Sequence, residues 1–417
     1  MAVTRSNRRS RLTGSLALVA STFTLVNGWR PVSRRGGRRS IPLFVNGLIG
    51  SEAPVPVALV HLVVAARLAR RTGGAVRAIV ASVGLAGVAA GILQYRQART
   101  TAARLPEIVT HDLDRPVRSS IDGVTPRANR APWPLLHRSY TSTRTRGIPY
   151  GDHGVHNTLD VWRRPDVTGH TPVIVQVHGG GWCIGDNRTQ GVPLMTHLAE
   201  AGWTCVAPRY RLSPRATWPD HVGDIQRVIA WVRSNIESFG GDPSFVALTG
   251  GSAGAHLVSL AGLLGNDHRF APELNDDTRV QAVVPFYGIY DWVDRDGEQN
   301  PAVRHLLEKH VVKNRMTAAT EVFHDASPIN HLHPDAPPFF VLHGTNDSLL
   351  HVEPARRFVE ELRRVSRNPV LYAELATTQH SFDLFRTPRA RGACDAVNLF
   401  LTTLAHESAH RPLVADE

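Results

Sequence analysis

The sequence predicts an α/β fold, in which a mostly parallel central sheet carries helices on both faces and bears a helical cap. Three observations predict the architecture. From residue 143 onward, short apolar runs typical of buried strands alternate with longer runs typical of helices. The pattern Gly250-x-Ser252-x-Gly254 stands between one such strand and one such helix. The first 104 residues are instead apolar runs separated by arginine clusters, and they predict an N-terminal membrane-associated helical segment.

Composition limits the possible functions. Residues 1–104 contain 16 arginines, no lysine and one acidic residue, Glu52, which gives them a charge of +15. The rest of the 417 residues hold 31 basic and 35 acidic side chains, so no basic patch marks the globular part and we expect no nucleic-acid partner. The three cysteines, Cys183, Cys205 and Cys394, are far apart and odd in number, and predict neither a disulfide framework nor a metal site.

Three apolar runs occupy the N-terminal segment, at residues 12–26, 41–66 and 78–93, and Ser-Glu-Ala-Pro at 51–54 interrupts the second. Each run offers about 15–20 apolar residues, which is near the lower limit for crossing a bilayer. Arginines cluster at the ends of the runs, where such side chains reach lipid headgroups. We therefore expect residues 1–104 to anchor the protein in a membrane.

Two further interpretations of this segment remain open. A cleaved signal peptide explains the first run, and Arg8-Arg9 resembles a twin-arginine export signal, but the later runs then have no explanation. An ordinary buried helical subdomain is the second interpretation. The side of the membrane is not predicted, because with three spans each side holds eight arginines.

The rest of the chain predicts a linker followed by one α/β domain. Residues 105–142 are rich in proline and lack a strong period, which indicates a linker or a cap-associated segment. The domain, residues 143–417, has expected strands at 144–151, 158–162, 172–177, 204–207, 245–248, 280–285, 339–342 and 370–375. Its expected main helices are 193–201, 221–236, 255–264, 353–364 and 390–404. More than fifty residues separate the sixth and seventh strands, so residues 291–333 are expected to fold as a cap.

The turn at Ser252 has the pattern of a nucleophile elbow. A serine at the tip of such a turn has a strained backbone, and side chains at Gly250 and Gly254 would collide with the neighbouring strand or helix. The same pattern also arises by chance in long chains. The apolar strand before it and the helix after it favour the functional interpretation, with Ser252 as nucleophile.

An activated serine needs a base, an acid that orients the base, and N–H groups that bind the oxyanion. His-Gly-Gly-Gly-Trp at 178–182 directly follows the strand 172–177, and a glycine run leaves several N–H groups unencumbered. Ala253, next after the serine, is expected to supply one more N–H.

The acid and the base are expected at the ends of later strands. Asp347 follows the strand 339–342, and His380 follows the last strand, which gives the order Ser, Asp, His that this type of site uses. Asp383 is the alternative acid, only three residues beyond the histidine. His343, on the strand that leads to Asp347, is expected to have a supporting or structural role.

Together these motifs resemble the hormone-sensitive-lipase group of α/β-hydrolases, which comprises bacterial and mammalian carboxylesterases. The resemblance covers residues 143–407 and rests on the segments 178–182, 208–214 (Pro-x-Tyr-Arg-Leu-Ser-Pro) and 250–254, with Asp347 and His380. It implies the α/β-hydrolase fold and ester hydrolysis without a metal or a cofactor.

The resemblance also implies the residues that bind the oxyanion, namely Gly180, Gly181 and Ala253. The expected reaction is hydrolysis of short- to medium-chain acyl esters, from small molecules or lipids, through an acyl-enzyme on the Ser252–His380–Asp347 triad.

The sequence departs from the group's pattern at two places. Gly251 stands where many members have aspartate, and residues 1–104 lie outside the group's soluble pattern. Those residues are similar, more weakly, to the anchor of membrane-associated actinobacterial lip-type esterases, which implies a bacterial cell membrane.

The segment 252–257 is also similar to arylformamidases, so an amide substrate remains possible. Two further functions stay open on the same fold, an acyltransferase that excludes water and a non-catalytic binding protein.

Overall fold

One mixed sheet of eight strands forms the centre of the protein. The computed structural model describes residues 2–31, 40–121, 124 and 143–410. The strands are β1 (Thr143–Pro149), β2 (Thr158–Arg163), β3 (Thr171–Val177), β4 (Thr204–Pro208), β5 (Gly241–Gly251), β6 (Ala282–Phe286), β7 (Phe339–Gly344) and β8 (Val370–Leu375). Their order is β1-β2-β4-β3-β5-β6-β7-β8. Of the seven strand pairs that the described residues form, β1–β2 and β2–β4 are antiparallel and the other five are parallel.

Helices cover both faces of this sheet. The α-helices of the described residues are α1 (Ala2–Trp29), α2 (Ser40–Glu52), α3 (Pro54–Ala69), α4 (Gly74–Asp112), α5 (Val192–Glu200), α6 (Asp220–Asn235), α7 (Ala253–Leu264), α8 (Pro301–Leu306), α9 (Thr320–Asp325), α10 (Glu353–Val365) and α11 (Pro388–Ala409). Val173 and Val175 of β3 lie in one core with α6, α7 and α10, whereas Ile174 lies in the other core with α5 and α11. The predicted α/β fold is therefore confirmed.

The strand before Ser252 shows why its sequence is continuously apolar. Phe245, Val246, Ala247 and Leu248 are all buried, although successive side chains of a strand point to opposite faces. Because both faces of a parallel sheet are covered by helices, each of these side chains has a core to enter.

The expected cap region is helical. The connection from β6 to β7 contains α8, α9 and short 3₁₀ and π turns, and its buried Leu307, Val311 and Phe323 join the core on the α6 and α7 side. A Cβ added to Gly181 would lie 2.9 Å from Cδ2 of Leu306. The insertion therefore lies against the glycine-rich loop.

The apolar N-terminal runs form helices α1 to α4. The interrupted run becomes α2 and α3, and the chain bends by 96° between them, where Glu52, Ala53 and Pro54 stand. Within the described residues, α4 alone is long and apolar enough to cross a membrane, and the bent pair α2–α3 meets the same test when it is taken together.

The expected domain boundary at residue 104 falls inside α4, which continues to Asp112. Leu105, Val109 and Leu113 are buried in the same core as α5 and α11, and this packing explains why the helix extends past the expected end of the anchor. Residues 105–112 are thus helical rather than part of a linker. Residues 122, 123 and 125–142 of the expected linker lie outside the described residues.

Candidate active site

The backbone at Ser252 is strained in the way the sequence predicts. Ser252 joins β5 to α7 with φ +57° and ψ −118°, and its N–H donates to the carbonyl of Phe286 at 3.0 Å. A Cβ on Gly250 would lie 2.7 Å from the carbonyl oxygen of Val177, and a Cβ on Gly254 would lie 2.2 Å from the same atom. Both glycines are therefore required for strand β3 to pass beside the turn.

Gly251, at which the sequence departs from the pattern of the group that it resembles, has a local explanation. A Cβ at this position would lie 2.7 Å from Oη of Tyr287, which follows β6 directly. Tyr287 has φ +40°, an unusual conformation for a residue with a bulky side chain. Its ring centroid also lies 4.5 Å from that of His380. Tyr287 therefore links the serine turn to the histidine loop.

His380 and Asp347 form a buried pair at the ends of β8 and β7. The distance from Nδ1 of His380 to Oδ2 of Asp347 is 2.6 Å, and the side chains are 4% and 0% exposed. A carboxylate only accepts, so Nδ1 carries the proton and Nε2 of the neutral ring remains free to act as a base. This is the tautomer that a triad needs.

The surroundings of Asp347 keep it ionised. Its Oδ1 accepts the N–H groups of Leu349 at 2.9 Å and Leu350 at 2.8 Å, and Nε2 of His343 lies 3.3 Å from Oδ2. Burial acts to raise the pKa of Asp347, but attraction to the protonated form of His380 and hydrogen bonds from His343 and His380 hold it well below the usual range. His343 thus lies beside the Asp347 carboxylate, and its supporting or structural role stays a prediction.

Asp383, the alternative acid, bonds to a different partner. Its Oδ1 accepts a short hydrogen bond from the hydroxyl of Tyr287. Complete burial raises the pKa of Asp383. Asp347 therefore hydrogen-bonds to His380, whereas Asp383 hydrogen-bonds to Tyr287.

The glycine-rich loop lies against the serine. A Cβ on Gly179 would lie 3.2 Å from Cβ of Ser252, while the N–H of Gly179 donates to Oε1 of Gln190 at 2.8 Å. Gly180 has φ +117° and Gly181 has φ +59°, both in the region that favours glycine. Ala253 is the first residue of α7, so its N–H has no acceptor within the helix.

Two residues near His380 were not found from the sequence. Tyr287 stands at the carboxyl end of β6, and its place at that edge of the sheet was the available signal. Phe44 of α2 lies with its ring centroid 5.9 Å from that of His380 in an edge-on arrangement. No local pattern indicates Phe44, because 336 residues separate it from the histidine.

In the described parts of the chain, no three His, Cys, Asp or Glu side chains are grouped as a metal site.

Comparison with known proteins gives the family. The sequence profile of the BD-FAE family matches residues 159–362. Over 405 residues the chain is 45% identical to the probable carboxylic ester hydrolase LipM of Mycobacterium tuberculosis, with 94% of this chain and 93% of LipM covered. The chain belongs to the carboxylesterases of the hormone-sensitive-lipase-like group. It is therefore a carboxylic ester hydrolase, as the sequence predicts.

Other proteins that are similar to this carboxylesterase are also esterases. Esterase LipQ of Mycobacterium tuberculosis is 46% identical over 271 residues, which cover 64% of each chain. Among solved structures, a truncated carbohydrate esterase from gut microbiota superimposes with a TM-score of 0.57 at 20% identity, over 64% of this chain and 97% of its own. Esterase 2 of Thermogutta terrifontis, phosphonylated by sarin, gives 0.51 at 22% identity, over 61% and 91%. These structures show the α/β-hydrolase fold.

Proposed function

We propose that this carboxylesterase hydrolyses short- to medium-chain acyl esters with Ser252 as nucleophile, His380 as general base and Asp347 as its orienting acid. The observation that carries the proposal is the buried 2.6 Å contact between His380 and Asp347, because it selects the tautomer with a free Nε2. Tyr287 contacts His380 and borders the turn of Ser252, which supports a common site.

The reaction proceeds in two halves. Nε2 of His380 takes the hydroxyl proton of Ser252 as Oγ attacks the acyl carbon, and the N–H groups of Gly180, Gly181 and Ala253 bind the oxyanion. His380 then gives this proton to the alcohol oxygen as the ester C–O bond breaks, which leaves an acyl-enzyme. Water attacks the acyl carbon, passes a proton through His380 to Oγ, and releases the acid.

The test is a serine-directed fluorophosphonate probe together with an ester panel. Ser252→Ala should abolish both labelling and turnover. Ser259→Ala is the matched control, since Ser259 is a buried serine on helix α7, which begins directly after Ser252, and it should retain both. Labelling that persists in Ser252→Ala refutes the nucleophile. Aryl formamides and added alcohol acceptors in the same panel test for amidase and acyltransferase activity.

We also propose that the N-terminal helices hold the enzyme in a membrane. Of the 23 large apolar side chains that are exposed in the described residues, 19 lie between Leu12 and Tyr95, so this segment presents its apolar surface outward. Its buried positions include polar side chains that bond across helices. His61 lies 2.9 Å from Oγ of Ser21, and Gln94 donates to the carbonyl of Leu25 at 2.7 Å.

Small residues complete this packing. A Cβ on Gly84 of α4 would lie 2.7 Å from Cβ of Ala65, and a Cβ on Gly28 would lie 2.4 Å from the carbonyl carbon of Gly50. Close helix contacts at small residues, joined by polar side chains, are typical of packing within a bilayer. The full chain should therefore stay with membranes after high-salt and carbonate washing. Release by salt alone would instead indicate peripheral binding through the arginines.

A further inference from the structure

Helix α2 packs directly on the loops that carry the acid and the base. The ring of Phe44 contacts that of His380, and a Cβ on Gly47 would lie 3.1 Å from Nε2 of Gln379. Oε1 of Gln379 in turn accepts the N–H groups of His380 at 2.9 Å and Ser348 at 2.8 Å. One helix of the N-terminal segment thus lies directly against the loops that carry the proposed acid and base.

Helix α2 is held in place at its C-terminal end. Glu52 forms a buried ion pair with Arg389, and its Oε2 accepts the hydroxyl of Thr387 at 2.8 Å. Arg389 also donates to the carbonyl of Ser51 at 2.9 Å and to Oγ1 of Thr377 at 3.0 Å. Since Thr377 lies on the loop that leads to His380, the position of α2 is coupled to the position of the base.

The other face of α2 is apolar and exposed. Ile41, Val45 and Ile49 recur every four residues along one side of the helix and are 66%, 44% and 47% exposed. Phe44 and the buried Leu48 lie on the side that faces the protein. One short helix therefore separates His380 from the surface that we assign to the bilayer.

The chemistry of the base identifies which part of the substrate lies beside α2. His380 must give its proton to the oxygen of the leaving alcohol, so the alcohol portion of the ester is adjacent to the imidazole. Phe44 contacts the same imidazole. We propose that Phe44 lines the alcohol side of the site and that the natural substrates are esters of apolar, membrane-resident alcohols, which enter from the bilayer along α2. This inference rests on the triad and on the membrane anchor of the proposed function.

The test uses the full chain in phosphatidylcholine nanodiscs and two ester series. The first series varies the alcohol, from butyl to hexadecyl acetate, and the second varies the acyl group on one short alcohol. Phe44→Ala should lower kcat/KM for the longest acetates relative to butyl acetate by about tenfold, as expected for the loss of an apolar contact, mainly through KM. The selectivity within the acyl series should stay as in the wild type.

Two further variants make the result specific. Val45→Ala, which removes an exposed apolar side chain from the neighbouring position, should leave both selectivities unchanged. Phe44→Leu keeps an apolar side chain against the histidine loop and should give an intermediate alcohol selectivity. Equal shifts in both series, no shift, or the same shift in Val45→Ala would each overturn the assignment of Phe44.

Entry from the bilayer is tested by surface dilution. At a fixed total concentration of dodecyl acetate, the rate should follow the mole fraction of ester in the bilayer as empty nanodisc lipid is added. A rate that depends only on the bulk concentration would overturn this route. Fluorophosphonate labelling of Ser252 in every variant separates the two proposals, because labelling with unchanged selectivity refutes only the role of α2.

Discussion

Glu52 and Arg389 lie 337 positions apart in the sequence and form an ion pair with 3.0 Å between Oε1 and Nη1, each side chain being 1% exposed. The pair joins the break between α2 and α3 to the first turn of α11. Because both charges are removed from water, each depends on the other for compensation.

Glu52→Gln should therefore destabilise the full chain markedly. The substitution keeps an oxygen that accepts from Thr387 but leaves the Arg389 guanidinium buried without a counter-charge, at a cost of about 3–5 kcal/mol. Chemical unfolding of the detergent-solubilised protein measures this. Asp335→Asn is the control, since it breaks an exposed 2.9 Å pair with Arg367 and should leave the transition unchanged. A wild-type transition in Glu52→Gln would contradict the buried pair.

The two aspartates near His380 should differ sharply in their effect on turnover. Asp347→Asn removes the acceptor that holds Nδ1–H, so kcat should fall on the order of 10⁴-fold. Asp383→Asn retains a carbonyl oxygen for the Tyr287 hydroxyl and should have a far smaller effect. Steady-state kinetics on a short ester measure kcat for both variants. The opposite ranking would assign the acid to Asp383.

Gly180→Ala should disable the oxyanion site. A Cβ at this position would lie 2.0 Å from the carbonyl oxygen of Ile184, so the loop must move and kcat should fall about 10²–10³-fold. Gly154→Ala is the matched control, because Gly154 also has positive φ but no atom lies within 4 Å of an added Cβ. It should keep its turnover. Equal losses in both variants would mean that backbone strain, rather than the displaced loop, causes the defect.

Stability should decrease in mild acid because of buried His256. Its ring lies 4.5 Å from that of Trp292, its Nε2 donates to the carbonyl of Ala326 at 2.7 Å, and burial lowers its pKa to about 3. An unfolded histidine titrates near 6.5, so the unfolded chain binds the extra proton between these values. The contribution of His256 is complete above about pH 6.5 and is lost progressively as the pH falls towards 3.

The measurement is the free energy of unfolding at pH 7 and pH 5. His256→Gln, which cannot take up this proton, should reduce the difference between the two by about 2 kcal/mol. His153→Gln, at an exposed site, should leave the difference as in the wild type. An unchanged difference in His256→Gln would show that this histidine is not the source of the acid sensitivity.

The sequence by itself determined the α/β fold and pointed to the candidate residues of the site. Strands buried on both faces, such as β5, are continuous apolar runs, and the ends of parallel strands meet at one edge of the sheet. Ser252, Asp347 and His380 follow such runs, so local patterns were sufficient to propose them. Gly250 and Gly254 were expected from the same motif, although the atom that they must leave room for, the carbonyl oxygen of Val177, belongs to the neighbouring strand β3.

The tertiary structure alone decided how the N-terminal segment meets this site. The apolar runs predicted helices and a break at residues 51–54, but not that Phe44 contacts His380 or that Glu52 pairs with Arg389. It also decided that α4 continues into the core beyond residue 104, where Leu105 and Val109 are buried. Contacts between segments hundreds of residues apart leave no period or motif in the sequence, since they depend on how complete helices pack against the finished sheet.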